Sequence, residues 1–206
     1  MQKRLMTCFA LAMMVTGLAG KAEIPERAED VSPLTVGSRL PGVEVRDGEG
    51  VPVSVRQLAE GKPTLFLFYR GGWCPYCNTE LAALADVFPQ LREHGVQVVA
   101  LSPDRPEAVA EVEAGADHPY RLFSDSSMSA MQAFGVAFRV DEATFARLKG
   151  FGIDIEASSG ETHRILPVPA VFLTNAQGEV VFRYHNPDYR ERLSTKDLLH
   201  AVKTAL

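Results

Sequence analysis

Residues 68–81 read Phe-Tyr-Arg-Gly-Gly-Trp-Cys-Pro-Tyr-Cys-Asn-Thr-Glu-Leu, and this stretch restricts the chain more than any other. An apolar run, 63–69, ends in a Gly-Gly turn. Two cysteines separated by two residues follow, and a helical pattern begins. A strand that delivers Cys-x-x-C to a helix start is an arrangement for thiol–disulfide chemistry. N–H groups of a first helical turn lack intrahelical partners and carry the positive end of the macrodipole, so a thiolate there is stabilised. Cys74, nearest the helix end, is expected to be the exposed, attacking sulfur. Cys77, one turn in, is expected to be shielded and to resolve what Cys74 captures.

The first 22 residues have the layout of a cleavable secretory signal peptide: a basic start at Gln2-Lys3-Arg4, an apolar run from Leu5 to Ala19, and small residues around Gly20-Lys21-Ala22. The run is too short for the roughly 20 residues of a membrane span. Cleavage there removes Cys8 and leaves Cys74 and Cys77 as the cysteines of the mature chain, with 18 basic against 26 acidic residues. The expected location is therefore periplasmic or otherwise extracytoplasmic. There a cysteine pair rests oxidised unless an external thiol reductant supplies electrons. The acidic balance and the lack of a basic run argue against nucleic acid and against anionic membrane surfaces.

Residues 23–35 read as a lead-in arm and 36–206 as one domain. Within it, 43–46 and 51–55 form a hairpin around Asp47-Gly48-Glu49-Gly50. Strands are expected at 64–68, 96–101, 120–123, 170–174 and 179–184. Helices are expected from 78 to about 94 with a kink at Pro89, at 104–113 with Asp104 as cap, at 126–134, and from a Ser194 cap to Leu206. Residues 136–160 give a helix at 141–149 and otherwise loop. The order implies a layered α/β fold with a mixed sheet.

That order, with Cys-Pro-Tyr-Cys after the first buried strand, resembles the thioredoxin fold. Val36-Gly37-Ser38-Arg39-Leu40-Pro41-Gly42 with its hairpin, Phe68-Tyr69 and Thr79-Glu80 resemble peroxiredoxins, the alkyl hydroperoxide reductase/thiol-specific antioxidant family. Arg70–Cys77 and Asn186-Pro187-Asp188-Tyr189-Arg190 are similar to a peroxiredoxin-like subgroup. The resemblance implies a central mixed sheet flanked by helices, with a peroxiredoxin-type N-terminal hairpin. On the peroxiredoxin pattern Cys77 holds the peroxidatic position, Cys74 replaces the peroxide-binding threonine, Arg70 replaces the leading proline, and Pro169 stands where a later arginine is expected. On the thioredoxin pattern Val168-Pro169 matches a cis-proline facing the disulfide.

The resemblance implies a thiol–disulfide oxidoreductase with antioxidant function, using Cys74 and Cys77 as a redox-active disulfide without metal, flavin or haem. Its partners would be thiol or disulfide proteins, or small hydroperoxides if it acts as a thiol-dependent peroxidase. Arg70, Trp73, Pro75, Tyr76 and Pro169 are the residues expected to bind substrate or activate the pair. Trp73 and Tyr76 would form an apolar rim, or simply pack. Arg70 is either a solvated strand-end residue or a charge favouring thiolate. Glu80 suits the helix dipole, with proton transfer as the alternative. A copper chaperone using His163 or His185 is the weakest reading, because such carriers typically separate their cysteines by three residues. Tyr189 and Arg190 are expected to pack the tail on the last helix.

Overall fold

A computed structural model describes residues 23–116 and 118–206; the signal peptide expected at 1–22 lies outside them. The chain runs β1 (Glu44–Arg46), β2 (Pro52–Ser54), α1 (Val55–Leu58), β3 (Thr64–Phe68), α2 (Pro75–Glu93), β4 (Gln97–Ser102), α3 (Pro106–Gly115) and β5 (Arg121–Ser124). It continues as α4 (Ser129–Ala133), β6 (Ala137–Arg139), α5 (Glu142–Gly150), α6 (Ile155–Ser159), β7 (Ile165–Pro167), β8 (Ala170–Thr174), β9 (Val180–His185) and α7 (Thr195–Ala205). No described helix is long and apolar enough to cross a membrane.

Seven strands form one sheet in the order β2-β1-β5-β4-β3-β8-β9. β3, β4 and β5 are parallel, whereas β8 runs antiparallel to β3 and β9 to β8. All five side chains of both β3 and β8 are buried, as required of strands covered on both faces. Their alternation sorts the core into two layers. Phe66, Phe68, Leu101, Phe123 and Phe172 pack under α1 and α4. Leu65, Leu67, Val98, Ala100, Val171 and Leu173 pack under α2, α3 and α7. The hairpin β1–β2 extends the sheet beyond β5 through an Arg46–Ser124 bridge. Asp47 closes its turn by accepting from the Glu49 and Val51 N–H groups at 3.1 and 2.9 Å.

The lead-in arm is fastened to the domain: Pro25 accepts from the Arg139 N–H at 2.8 Å, and Leu34 donates to Phe134 at 3.0 Å. Its Pro33 carbonyl accepts from the Arg183 guanidinium at 2.8 Å. α2 runs past Pro89 to Glu93, the extent its apolar spacing predicts. Two expectations need correction: Arg105, not Asp104, is the N-cap residue of α3, and its side chain makes no capping bond. The helix expected at 141–149 is α5, but the rest of 136–160, and the stretch to Pro167, is built rather than looped: β6 and β7 make a second, two-stranded sheet, and α6 joins α5 in a third apolar cluster of Val140, Phe145, Leu148, Ile155 and Leu166, against which Trp73 packs.

The loop between β3 and α2 is held tightly. Asp104, 2% exposed, accepts from the Gly72 N–H at 2.7 Å and from the Ser102 hydroxyl at 3.2 Å. Gly71 has φ +140, and a Cβ there would collide with Trp73 Nε1 and lie 2.8 Å from Asp104 Oδ1; a Cβ on Gly72 would collide with Val112 Cγ2. The Gly-Gly pair is therefore what lets the loop fold back under Asp104 and α3. Gly72→Ala should destabilise the domain by about 1–3 kcal/mol through overpacking, read as a lower urea midpoint at an unchanged slope. An unmoved midpoint would show that Val112 yields freely.

Candidate active site

Cys74 is the N-cap residue of α2, and Pro75 occupies its first turn, where a missing N–H costs nothing. The Cys74 carbonyl accepts from the Cys77 and Asn78 N–H groups at 3.0 and 3.1 Å. Asn78 also ties the helix back to the loop, its amide donating to the Gly72 carbonyl at 3.0 Å. Both cysteines are free thiols and both are buried. Cys74 is thus not the exposed sulfur the sequence suggested: at 2% exposure it lies at the floor of a cavity of about 450 Å³. Cys77 lies beneath it at 0%.

The two thiols have opposite acidities. The Cys77 thiol donates to the Cys74 sulfur, and this holds Cys74 down at about 6 despite its burial; the Cys77 N–H, Arg70 and Arg192 assist. The same hydrogen bond, with burial and the adjacent Cys74 charge, pushes the Cys77 thiol far up. The pairing therefore pushes the two sulfurs in opposite directions, Cys74 toward the thiolate and Cys77 toward the protonated thiol.

Arg70 is 7% exposed, not a solvated strand-end residue. Its guanidinium lies over the Trp73 ring at 5.2 Å and the Tyr189 ring at 4.2 Å, within the range of cation–π attraction. Tyr189, 40% exposed, meets the 46% exposed Tyr76 edge-on at 5.8 Å, so it belongs to the site and does not merely pack the tail. Arg190 pairs with Asp188 at 2.8 Å. Trp73 is partly buried between two apolar clusters and Pro75 is exposed. Pro169 lines the same cavity as Cys74, but its peptide bond is trans: no cis bond occurs among the described residues, in keeping with the default state of X–Pro.

Arg192 is the site residue that the sequence did not reveal. Its Nε donates to Glu80 Oε2 at 2.6 Å and its Nη2 to Cys77 Sγ at 3.7 Å, and Nη1 reaches the Tyr189 carbonyl. Burial pushes the Glu80 carboxyl up to about 7 although Arg192 pulls it down. The histidines lie elsewhere. His163 accepts from the Ile165 N–H through Nδ1 at 3.0 Å, which leaves Nε2–H to donate to Ser126 at 2.9 Å. It is therefore a bonded structural residue. Burial pushes the His185 ring down, and no group of three His, Cys, Asp or Glu side chains able to hold a metal occurs among the described residues.

The family model for AhpC/TSA matches residues 36–183. The chain belongs to the AhpC/TSA family. Thiol-disulfide oxidoreductase ResA of Bacillus anthracis is 22% identical over 192 residues, covering 93% of this chain and 94% of that protein. Peroxiredoxin Bcp of Escherichia coli is 27% identical over 106 residues, 52% of this chain and 67% of that one. The crystal structure of a peroxiredoxin-like protein from Aquifex aeolicus superposes with a TM-score of 0.66 at 20% identity, covering 85% of this chain and 90% of that one. The peroxiredoxin-like thioredoxin fold implied by the motif is thereby established, and both named relatives are thiol redox proteins.

In this AhpC/TSA protein the missing signal for Arg192 was distance: 115 residues separate it from Cys77, and no local pattern marks it. Two outcomes follow from the geometry. Iodoacetamide labelling of Cys74 should be flat above pH 7 and fall as pH drops through about 6, because protonation removes the nucleophile, while Cys77 stays unlabelled in the folded protein. Arg192→Met, which leaves Glu80 buried without its partner, should cost about 3 kcal/mol. Glu80→Gln/Arg192→Met should regain most of that loss in urea unfolding.

Proposed function

We propose that the protein is an exported thiol–disulfide oxidoreductase in which Cys74 attacks and Cys77 resolves. The observation that carries this reading is the asymmetry of the pair: a Cys74 thiolate facing a cavity, over a Cys77 thiol that no solvent reaches. The Cys74 thiolate displaces one sulfur of a substrate disulfide, forming a mixed disulfide and releasing a thiolate that takes up a proton. Cys77 then loses its proton and attacks the Cys74 sulfur. The second substrate sulfur leaves, and two electrons have passed from the protein to the substrate. Arg192, 3.7 Å from the Cys77 sulfur, stabilises the thiolate that Cys77 must become. An external thiol reductant returns the Cys74–Cys77 disulfide to the reduced state, and the chemistry requires no other cofactor.

Hydroperoxide reduction is the second reading, favoured by the Bcp likeness and by the Arg192 guanidinium beside Cys77. In it one cysteine becomes a sulfenic acid, releasing an alcohol or water, and the other condenses with it to the disulfide. The pair's acidities favour Cys74 as the oxidised sulfur, not Cys77. Export rests on the layout of residues 1–22. It is tested by the mass of the mature protein, which should begin at Glu23.

With reduced protein and a disulfide substrate, Cys77→Ser should accumulate a mixed disulfide at Cys74, and Cys74→Ser should accumulate none, as resolved by non-reducing mass spectrometry. Fast consumption of hydrogen peroxide that survives Cys74→Ser and disappears with Cys77→Ser would move the assignment to the peroxidase reading with Cys77 as nucleophile.

A further inference from the structure

Buried arginines are ordinarily paired, and the mostly buried Arg192 follows the rule by holding Glu80 at 2.6 Å. Arg70 does not. It is 7% exposed, yet among the described residues its guanidinium meets neither a carboxylate nor any hydrogen-bond acceptor. Trp73 and Tyr189 supply only ring faces, and a ring face does not satisfy the five N–H donors of a guanidinium. Arg70 lines the same cavity as Cys74, and a thiolate at Cys74 is an opposite charge acting on its guanidinium.

That balance is broken by the reaction itself. When Cys74 forms a bond to a substrate sulfur its negative charge leaves with the departing thiolate, and Arg70 remains as a buried cation with no counter-charge. A substrate carrying a carboxylate close to its sulfur would restore the balance at the moment the thiolate is consumed. It would also engage the guanidinium in the bidentate geometry that arginine favours. Arg70 and Cys74 line the same small cavity, so a carboxylate that meets the guanidinium while sulfur meets Cys74 belongs only a few bonds from that sulfur. A cavity of about 450 Å³ matches small-molecule sites, which run from about 300 to 1,000 Å³. A Cys74 buried to 2%, in a cavity also lined by the exposed rings of Tyr76, Phe151 and Tyr189, is poorly reached by a disulfide embedded in a folded protein.

The geometry points to Arg70 as a carboxylate receptor, making the preferred substrate a small disulfide with a carboxylate a few bonds from sulfur. This rests on the thiol–disulfide reading of the site, and its overall step is the one already balanced: the substrate disulfide gains two electrons and two protons, the cysteine pair becomes a disulfide, and an external thiol reductant restores it.

The test uses the fluorescence of Trp73, the single tryptophan of the chain, to follow oxidation of the reduced protein by three disulfides. These are 3,3′-dithiodipropionate (anionic), 2-hydroxyethyl disulfide (neutral) and cystamine (cationic), each rate being divided by that with a free model thiol. The anionic disulfide should lead the neutral one by roughly tenfold, the scale of one charge-assisted contact, and cystamine should be slowest. The preference should shrink in high salt and fall to about one in Arg70→Gln. Equal normalised rates in the wild type, or a preference that persists in Arg70→Gln, would overturn the assignment; if that variant does not fold, the wild-type order and its salt dependence decide. A second arm titrates suberate, the redox-inert carbon analogue of dithiodipropionate, into Cys74→Ser. Saturable quenching of Trp73 that is lost in Cys74→Ser/Arg70→Gln is expected, and its absence sinks the receptor. Suberate binding without oxidation by any of the three disulfides would keep the receptor and refute the thiol–disulfide reading instead.

Discussion

An anion held away from water must have its charge answered by the protein, and in this chain that anion is the Cys74 thiolate. Burial alone would protonate it. Four groups oppose that tendency: the Cys77 thiol, the Cys77 N–H, and the guanidinium groups of Arg70 and Arg192. They come from three different structural commitments. The cysteine spacing places the first two on one helical turn, the end of β3 places Arg70, and the segment between β9 and α7 places Arg192. The sheet and helices can be understood as the frame that brings these four to one point and then excludes solvent around them.

The glycines and Asp104 show how narrow that frame is. The chain must leave the buried strand β3, reverse, and enter α2 within a few residues, with no room for side chains at Gly71 or Gly72. Asp104 anchors the reversal by accepting the Gly72 N–H, although burial pushes its own carboxyl up to about 6. A carboxylate that looked like a helix cap in the sequence is instead a clamp from the end of the neighbouring parallel strand. Capping and clamping use the same donor–acceptor chemistry, and only the three-dimensional path tells them apart.

This is also the measure of what the sequence made legible. β3, β4 and β8 were readable as continuous apolar runs, α7 by its helical period, and the Asp47 turn because its residues close it locally. The pair Cys74 and Cys77 was readable because its chemistry depends on adjacent positions. Within residues 136–167 only α5 was: β6 and β7 have three residues each and α6 five, too few for a period to emerge. Yet they carry Phe138 and Pro167 to the cavity wall, and the third cluster supports Trp73. Arg192 was hidden for a different reason. Its significance lies in a contact across 115 residues, and the local sequence offers only an arginine in a polar tail. The exposure of Cys74 was misjudged because helix-end position sets acidity, whereas the surrounding loops set access.

Acidity and access together determine the direction in which the couple leans. Stabilising a thiolate stabilises the reduced protein and so makes its disulfide more oxidising. Arg70 and the Cys77 hydrogen bond push that way for Cys74. The buried, protonated Cys77 gains no such stabilisation, and forming the disulfide removes the buried thiolate charge. Oxidation, however, strips Arg70 of the thiolate's opposite charge without removing its own charge, and the aromatic faces of Trp73 and Tyr189 replace only part of that loss. The oxidised state therefore bears an electrostatic cost that the reduced state does not. The cation most responsible for it is the one that faces the cavity, so occupancy of the cavity by an anion would lower that cost and tie the poise of the pair to what the site has bound.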